Sequence, residues 1–225
     1  MDEPTLSAPQ RIVLLFAIGI TICMGGFFFA VVMNKSKQVT VPKSSPFVFV
    51  DINAGSGHGS ATHLGSGYFL TAGHVTKDAK VIGIKTNDGY SYNAEILWQN
   101  NQYDVAMLYV SDYKKIGSAR LSCADNYVGQ SITVTGNPLG TFFAQSWGRV
   151  SALGKTGLEE IYDGMWKKLI TLDLTAAPGV SGAGIVNDQG QVVGILVAGA
   201  ISQRGNFNYS YAVSGKTICH VMARS

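Results

Sequence analysis

Three short segments of the chain contain side chains that together could carry out nucleophilic catalysis. The segment TAGH ends in His74, QYDVAML places Asp104 at the start of an apolar run, and PGVSGAG places Ser181 among glycines. A serine hydroxyl is a weak nucleophile near neutral pH unless a neighbouring base takes its proton. A histidine can be that base, and a carboxylate can orient the imidazole. Taken singly, each residue has an ordinary structural interpretation, but the order and contexts of all three together predict a catalytic site.

The elements that must position these residues are predicted to be short strands. From Phe47 onward, apolar or alternating runs are separated by turn residues such as NDGY at 87–90 and NDQGQ at 187–191. This spacing is typical of an antiparallel barrel or sandwich. Only the final segment, GKTICHVMARS, has a helical pattern, with Ile218 and Met222 on one face. The segments predicted as strands are FVFVDI, GSGYFLTA, KVIGIKT, SYNAEILWQ, DVAMLYV, QSITVTG, WGRVSAL, KLITLDL, GAGIVN, QVVGILVA and NYSYAVS.

Composition narrows the class of protein. A chain of 225 residues holds one domain of ordinary size or two small lobes. Charged residues make up only 14% of the sequence, and its 27 glycines favour a turn-rich β protein over a helical bundle. The formal net charge is +3, with Lys and Arg scattered along the chain, so composition gives no support to nucleic-acid binding.

These motifs resemble those of the trypsin-like serine proteases, and most closely the bacterial HtrA-like branch. GSGYFLTAGHV is similar to the family's histidine segment, YDVAMLYV to its aspartate strand, and LDLTAAPGVSGAGIVNDQGQVVGI to its serine loop and following hairpin. TGNPLG with WGRVSAL resembles the approach to the second barrel, and YAVSGKTICHVM the last strand and helix. The resemblance, from about Phe47 to Met222, implies an all-β fold of two six-stranded antiparallel β-barrels with a short C-terminal helix. The site would lie in the cleft between the barrels.

The resemblance also assigns roles to residues of the site. His74 would be the general base, Asp104 would orient it, and Ser181 would be the nucleophile. The backbone N–H groups of Gly179 and Ser181 would form the oxyanion hole, which stabilises the negative charge of the tetrahedral intermediate.

The primary substrate pocket is predicted from the same comparison. Thr175, six residues before the nucleophile, would lie at its base, and Val197, Ala198 and Gly199 would form one wall. Because no acid lies at the base, we expect no preference for Arg or Lys and favour a small or medium apolar side chain.

Three positions depart from the family pattern. Val180 stands where secreted trypsins have Asp and HtrA-like enzymes usually have Asn, so no acid is available there to pair with a newly cleaved N-terminus. Ala183 and Gly184 replace the usual Gly-Pro. Val197 stands where a hydroxyl residue often supports the buried aspartate. Asp104 would then have one hydrogen bond fewer than usual, or the correspondence is shifted by one residue.

A long apolar segment precedes the strands. IVLLFAIGITICMGGFFFAVVM, from Ile12 to Met33, contains no charge over 22 residues. As a helix it would be about 33 Å long, enough for a bilayer core of roughly 30 Å. A cleaved signal peptide usually has a shorter apolar core and a basic start, whereas Asp2 and Glu3 precede this one. We therefore predict an uncleaved membrane anchor at 12–33, after an N-terminal tail at 1–11.

The remaining boundaries follow from the anchor and the motifs. The polar segment 34–46 is expected to be a linker, 47–125 the first barrel, and 126–225 the second barrel with the C-terminal helix. No PDZ module, common among HtrA-like proteases, is expected in this chain.

The orientation of the anchor is predicted from two opposing signals. Arg11 is the only basic residue before the anchor, whereas three lysines follow it in 34–46. Because basic residues favour the cytoplasmic side, this difference by itself would place the C-terminal domain in the cytoplasm. In some trypsin-like enzymes a disulfide joins the regions of Cys123 and Cys219. That pairing would indicate an oxidising compartment, but two buried thiols are the alternative. We expect a periplasmic or extracytoplasmic domain.

The other histidines do not indicate a metal site. His58, His63 and His220 have no acidic or cysteine partners at metal-ligand spacing and are interpreted as surface or loop residues. The segment GSGHGS lacks the strand-to-helix context of a phosphate-binding loop. We expect neither a metal nor another cofactor.

The resemblance as a whole predicts a membrane-anchored serine endopeptidase that cuts protein or peptide substrates through an acyl-enzyme. One alternative is a catalytically inert pseudo-protease that acts as a binding or scaffolding module at the membrane. A second is a structural membrane protein whose β domain packs against a partner.

Overall fold

The structure, a computed structural model, describes residues 45–113, 116–154, 169–201 and 207–224. These residues form two closed six-stranded barrels, and every strand pairing within them is antiparallel. A short helix follows the last strand. The predicted all-β, two-barrel architecture is confirmed. The predicted anchor, Ile12 to Met33, lies outside the described residues, and none of the helices within those residues is long and apolar enough to cross a membrane.

The first barrel is a closed sheet around an apolar interior. Its strands close in the order β1-β2-β3-β6-β5-β4. A four-residue helix, α1 (Gly73–Thr76), follows β3 directly. The strands are β1 (Phe47–Ile52), β2 (Gly57–Gly65), β3 (Tyr68–Ala72), β4 (Ile82–Thr86), β5 (Ser91–Asn100) and β6 (Val105–Tyr109).

Strand β2 is the one that the sequence pattern did not predict. Its central residues, Ser60 to His63, are all buried, and three of the four are polar. A strand covered on both faces shows no alternation of apolar and polar residues, so periodicity could not reveal it.

The interpretation of His63 as a surface or loop residue is wrong, since His63 is 2% exposed. Its Nδ1 bonds the Gly117 carbonyl at 2.9 Å, and its Nε2 accepts from the Gly67 N–H at 3.2 Å. His58 also lies in β2, where its ring stacks on Phe49, rather than in a surface loop.

The second barrel closes in the order β10-β11-β12-β9-β8-β7. The predicted NDQGQ turn joins β10 to β11, as NDGY joins β4 to β5 in the first barrel. A short 3₁₀ turn (Pro138–Gly140) lies between β7 and β8. The strands are β7 (Ser131–Gly136), β8 (Ala144–Leu153), β9 (Leu169–Leu172), β10 (Gly184–Val186), β11 (Val192–Ile201) and β12 (Phe207–Ser214).

One apolar cluster crosses from the first barrel to the second. Ile195, Val197 and Val213 of the second barrel pack with the interior of the first, and so does Ile218 of the C-terminal helix α2 (Gly215–Met222). Burial of this continuous apolar surface is what holds the two barrels together.

A disulfide between Cys123 and Cys219 links the connector between the barrels to α2, with the two Cα atoms 5.8 Å apart. Of the two alternatives that the sequence left open for these cysteines, the structure has the bridge.

Candidate active site

The antiparallel pairing of β3 with β6 brings His74 and Asp104 together. The last pair of this ladder is Ala72 with Val105. His74 lies two residues past the end of β3, and Asp104 lies one residue before β6 begins. Because the strands run in opposite directions, both residues emerge at the same end of the barrel.

His74 and Asp104 are joined by two hydrogen bonds. The Asp104 Oδ1 accepts from the His74 backbone N–H at 2.6 Å, and Oδ2 lies 2.7 Å from the ring Nδ1. A carboxylate oxygen accepts, so Nδ1 is the donor of this hydrogen bond. The Asp104 side chain is 4% exposed, whereas that of His74 is 40% exposed. The arrangement leaves a partly exposed imidazole whose orientation is set by a buried carboxylate.

The candidate nucleophile lies in the loop between β9 and β10, here called the serine loop (residues 177–183). Two tight turns shape it, with Val180 N donating to Ala177 O at 3.2 Å and Ala183 N to Val180 O at 2.9 Å. The first barrel holds this loop through Ser60, whose N–H donates to Ser181 O at 2.8 Å.

The close approach of Gly59 fixes Ser181 beside the histidine segment. A Cβ on Gly59 would lie 2.7 Å from a Val75 methyl and 3.3 Å from Ser181 O. Val75 follows His74 directly, so the serine loop and the histidine segment touch the same glycine. No hydrogen bond joins the Ser181 hydroxyl to His74 within the described ranges. Such bonds often tighten only when substrate is bound.

The peptide bond before Gly179 is oriented by a hydrogen bond from the 3₁₀ turn. The Pro178 carbonyl accepts from Leu139 N at 2.8 Å. The peptide bond is trans, so the Gly179 N–H points the opposite way. Among the described residues, neither Gly179 N–H nor Ser181 N–H has a backbone partner.

Position 179 requires glycine for two reasons. Its φ is +100°, a backbone conformation that other residues adopt only with strain. In addition, a Cβ there would overlap the Asn137 carbonyl and the His58 ring.

The residues predicted for the substrate pocket differ in their exposure to solvent. Thr175 is exposed, and Ala198 and Gly199 are half-buried. Val197 is 2% exposed, and its side chain belongs to the cluster shared by the two barrels. A bulge between Leu196 and Ala198 accounts for this, because it lets two successive side chains point into buried surroundings.

Val180 packs in the core of the second barrel. It is 8% exposed and lies in a cluster with Ala176 and Ala183. This position, which is polar in the family pattern, therefore contributes to the apolar core here and offers no charge for an ion pair with a chain terminus.

Sequence reasoning missed the residues that tether the serine loop, Ser60 and Asn137. Ser60 lies in GSGHGS and Asn137 lies in TGNPLG, and no local pattern in either segment indicates contact with the serine loop. No group of three or more His, Cys, Asp or Glu that could hold a metal ion occurs among the residues that the structure covers.

The trypsin-like peptidase domain matches residues 59–195. The periplasmic pH-dependent serine endoprotease DegQ of Escherichia coli (strain K12) is 31% identical over 160 residues, which cover 71% of this chain and 34% of DegQ. A probable periplasmic serine endoprotease, DegP-like, of Buchnera aphidicola is 29% identical over 185 residues, which cover 78% of this chain and 38% of that protein. The chain thus spans a little over a third of the length of these relatives.

Solved structures of HtrA-type proteases also resemble this chain. The HtrA-type protease AlgW with a tripeptide matches with a TM-score of 0.71 and 26% identity, over 80% of this chain and 60% of that one. AlgW with a decapeptide matches with a TM-score of 0.65 and 29% identity, over 73% and 50%. The family match covers more than half of the chain, and it agrees with the fold and with the motifs around His74, Asp104 and Ser181. The chain belongs to the trypsin-like peptidase domain family, and its relatives are HtrA-type serine proteases.

Proposed function

We propose that this chain is a serine endopeptidase that hydrolyses peptide bonds with Ser181, His74 and Asp104. The observation that carries the proposal is the doubly bonded pair of His74 and the buried Asp104, with the serine loop tethered beside it. A carboxylate that orients a half-exposed imidazole next to a glycine-rich serine loop fits the needs of acyl transfer.

The proposed mechanism assigns one task to each group. Ser181 Oγ attacks the carbonyl carbon of the scissile bond while His74 Nε2 takes its proton, and Asp104 stabilises the imidazolium that forms. The N–H groups of Gly179 and Ser181 stabilise the oxyanion. His74 then protonates the leaving amine, and the acyl-enzyme remains. Water, deprotonated by His74, releases the acid and restores Ser181.

The proposed substrates are proteins or peptides. The AlgW structures that resemble this chain were determined with peptides, and DegQ is named an endoprotease. Thr175, Ala198 and Gly199 are the residues proposed to form the primary pocket. Val197, whose side chain is buried between the barrels, would contribute only its backbone. An uncharged base at Thr175 favours a small or medium apolar side chain over Arg or Lys.

We propose that the domain is held at a membrane by residues 12–33 and faces the periplasm or another extracytoplasmic space. The Cys123–Cys219 disulfide and the periplasmic names of the relatives support this side. Protease treatment of intact spheroplasts tests the location, because an extracytoplasmic domain is digested. Full protection would contradict the proposal.

Active-site labelling tests the catalytic proposal. A fluorophosphonate probe should label the full-length wild type under native conditions and should not label Ser181→Ala. Ser131→Ala, which changes a half-buried serine of β7, is the matched control and should be labelled like the wild type. A folded wild type that is not labelled would favour the inert pseudo-protease instead.

A further inference from the structure

Ser60 of the first barrel holds both residues of the proposed oxyanion hole. It is fully buried, and its N–H donates to Ser181 O at 2.8 Å. Its hydroxyl donates to Gly179 O, also at 2.8 Å, across 119 positions of sequence. Ser60 thus fixes the carbonyl groups of Gly179 and Ser181, one through its side chain and the other through its backbone. These are the two residues whose N–H groups would bind the oxyanion.

Asn137 determines the direction in which the Ser60 hydroxyl donates. The Asn137 backbone N–H and Nδ2 donate to Ser60 Oγ at 3.1 Å and 2.9 Å. A hydroxyl has two lone pairs and one proton, so two incoming donors leave the proton for Gly179 O. Asn137 is 1% exposed, and its Oδ1 accepts from Phe143 N at 3.0 Å, which fixes the orientation of the amide.

The peptide planes on either side of Gly179 need such anchors. Glycine restricts its own backbone rotation least of all residues. The Pro178 carbonyl, bonded to Leu139 N, holds the plane before Gly179, and Ser60 holds the plane after it. With both planes fixed, the Gly179 N–H is directed before substrate arrives. Donors that are already oriented stabilise a developing oxyanion without reorganisation.

We propose that Ser60 is a positioning residue of the oxyanion hole and that Asn137 orients its hydroxyl. The proposal rests on the proposed function. The Ser60 hydroxyl touches no reacting atom and acts through Gly179. Its loss should therefore weaken the binding of the transition state more than the binding of the substrate, so that kcat falls while KM changes little.

The test compares Ser60→Ala with the wild type in the full-length protein, with a peptide substrate chosen from a library. Losing an oxyanion donor altogether costs about 10²–10³-fold in kcat, and we expect a mispositioned donor to cost roughly 10–10²-fold, with KM within about twofold. A peptide aldehyde forms a tetrahedral adduct that carries an oxyanion. Its inhibition constant should rise by the same factor by which kcat/KM falls.

Thr62→Val is the matched control. Thr62 lies two residues along β2, is equally buried, and accepts from Gly184 N at 3.0 Å. This variant loses a buried hydroxyl from the same strand but none that holds Gly179 or Ser181. It should lower the urea midpoint of unfolding as Ser60→Ala does and leave kcat unchanged.

Two results would overturn the proposal: a kcat for Ser60→Ala equal to that of Thr62→Val, or a loss confined to KM. If Ser60→Ala does not fold, Ser60→Cys replaces it, because a thiol is a weak donor of similar position. Its kcat should then lie below that of the wild type, and equality would contradict the inference. A wild type without activity overturns the proposed function along with this inference, whereas an active wild type with an unaffected Ser60 variant overturns only the inference.

Discussion

At the scale of single residues, position 179 accepts glycine alone without strain and steric overlap. Gly179 combines a φ of +100° with the lack of space for a Cβ. Gly179→Ala should therefore displace the peptide planes on which the proposed oxyanion hole depends. We expect kcat on a peptide substrate to fall by about 10²–10³-fold, the effect of losing one oxyanion donor.

Gly190→Ala is the control for this prediction. Gly190 lies in the turn between β10 and β11 with a φ of +73° and open space around it. Both variants introduce backbone strain of about 1–3 kcal/mol, but only Gly179→Ala also creates a clash beside Ser181. Equal kcat values for the two variants would show that position 179 matters for stability alone.

At the scale of secondary structure, β2 is the element that connects the fold to the site. It supplies Gly59 and Ser60 to the serine loop at one end and His63 to the barrel at the other. The buried Ser60, Thr62 and His63 each have a hydrogen-bond partner in another segment. Thr71 Oγ1 donates to Ser60 O at 2.7 Å, for example. Satisfied polar groups can be buried without a large cost in free energy. The buried Nε2 of His58 has no such partner among the described residues.

His63 makes the stability of β2 depend on pH. Burial lowers the pKa of His63 below its usual 6.5. A proton on Nε2 would also point at the Gly67 N–H, from which Nε2 accepts a hydrogen bond. Between the lowered pKa and about 6.5 the unfolded chain binds more protons than the folded one, so stability is lost as pH falls through this window.

Urea unfolding at about pH 7.5 and at about pH 5 measures this effect. These two pH values lie on the order of one unit above and below 6.5, the upper end of the window. The midpoint should be lower at the acid pH, and His63→Gln, which can still donate and accept, should reduce the difference. His220→Gln changes an exposed histidine of α2 and should keep the full difference. If His63→Gln kept it as well, the titration of His63 would not be its cause.

At the scale of the whole molecule, the Cys123–Cys219 disulfide joins the inter-barrel connector to α2 across 96 positions. Closing so long a loop restricts the unfolded chain strongly. The double variant Cys123→Ala/Cys219→Ala should lose about 2–5 kcal/mol of unfolding free energy. Urea unfolding with and without dithiothreitol measures this loss.

Reductant should lower the midpoint of the wild type and leave that of the double variant unchanged. Complete reduction of the wild type, verified by mass spectrometry, without a shift in its midpoint would contradict a stabilising role for the bridge. The result also bears on location, since a domain that depends on a disulfide needs an oxidising compartment to form it.

The sequence by itself determined most of the strands and the family. Turn residues and apolar runs predicted eleven of the twelve strands, and the contexts of His74, Asp104 and Ser181 predicted the family. These features are local, because period and turn preference depend on neighbouring residues. The anchor at 12–33 and the pocket residues stay predictions.

Only the tertiary structure decided how the serine loop is held. Ser60, Asn137 and Gly179 meet across separations of 77 and 119 positions. No local pattern marks them, and β2 was missed because tertiary partners cover both of its faces and remove the alternation. The burial of His63 and Val180 and the choice between a disulfide and two thiols were decided in the same way. In each case a side chain's environment comes from segments distant in sequence, and only their packing brings those segments together.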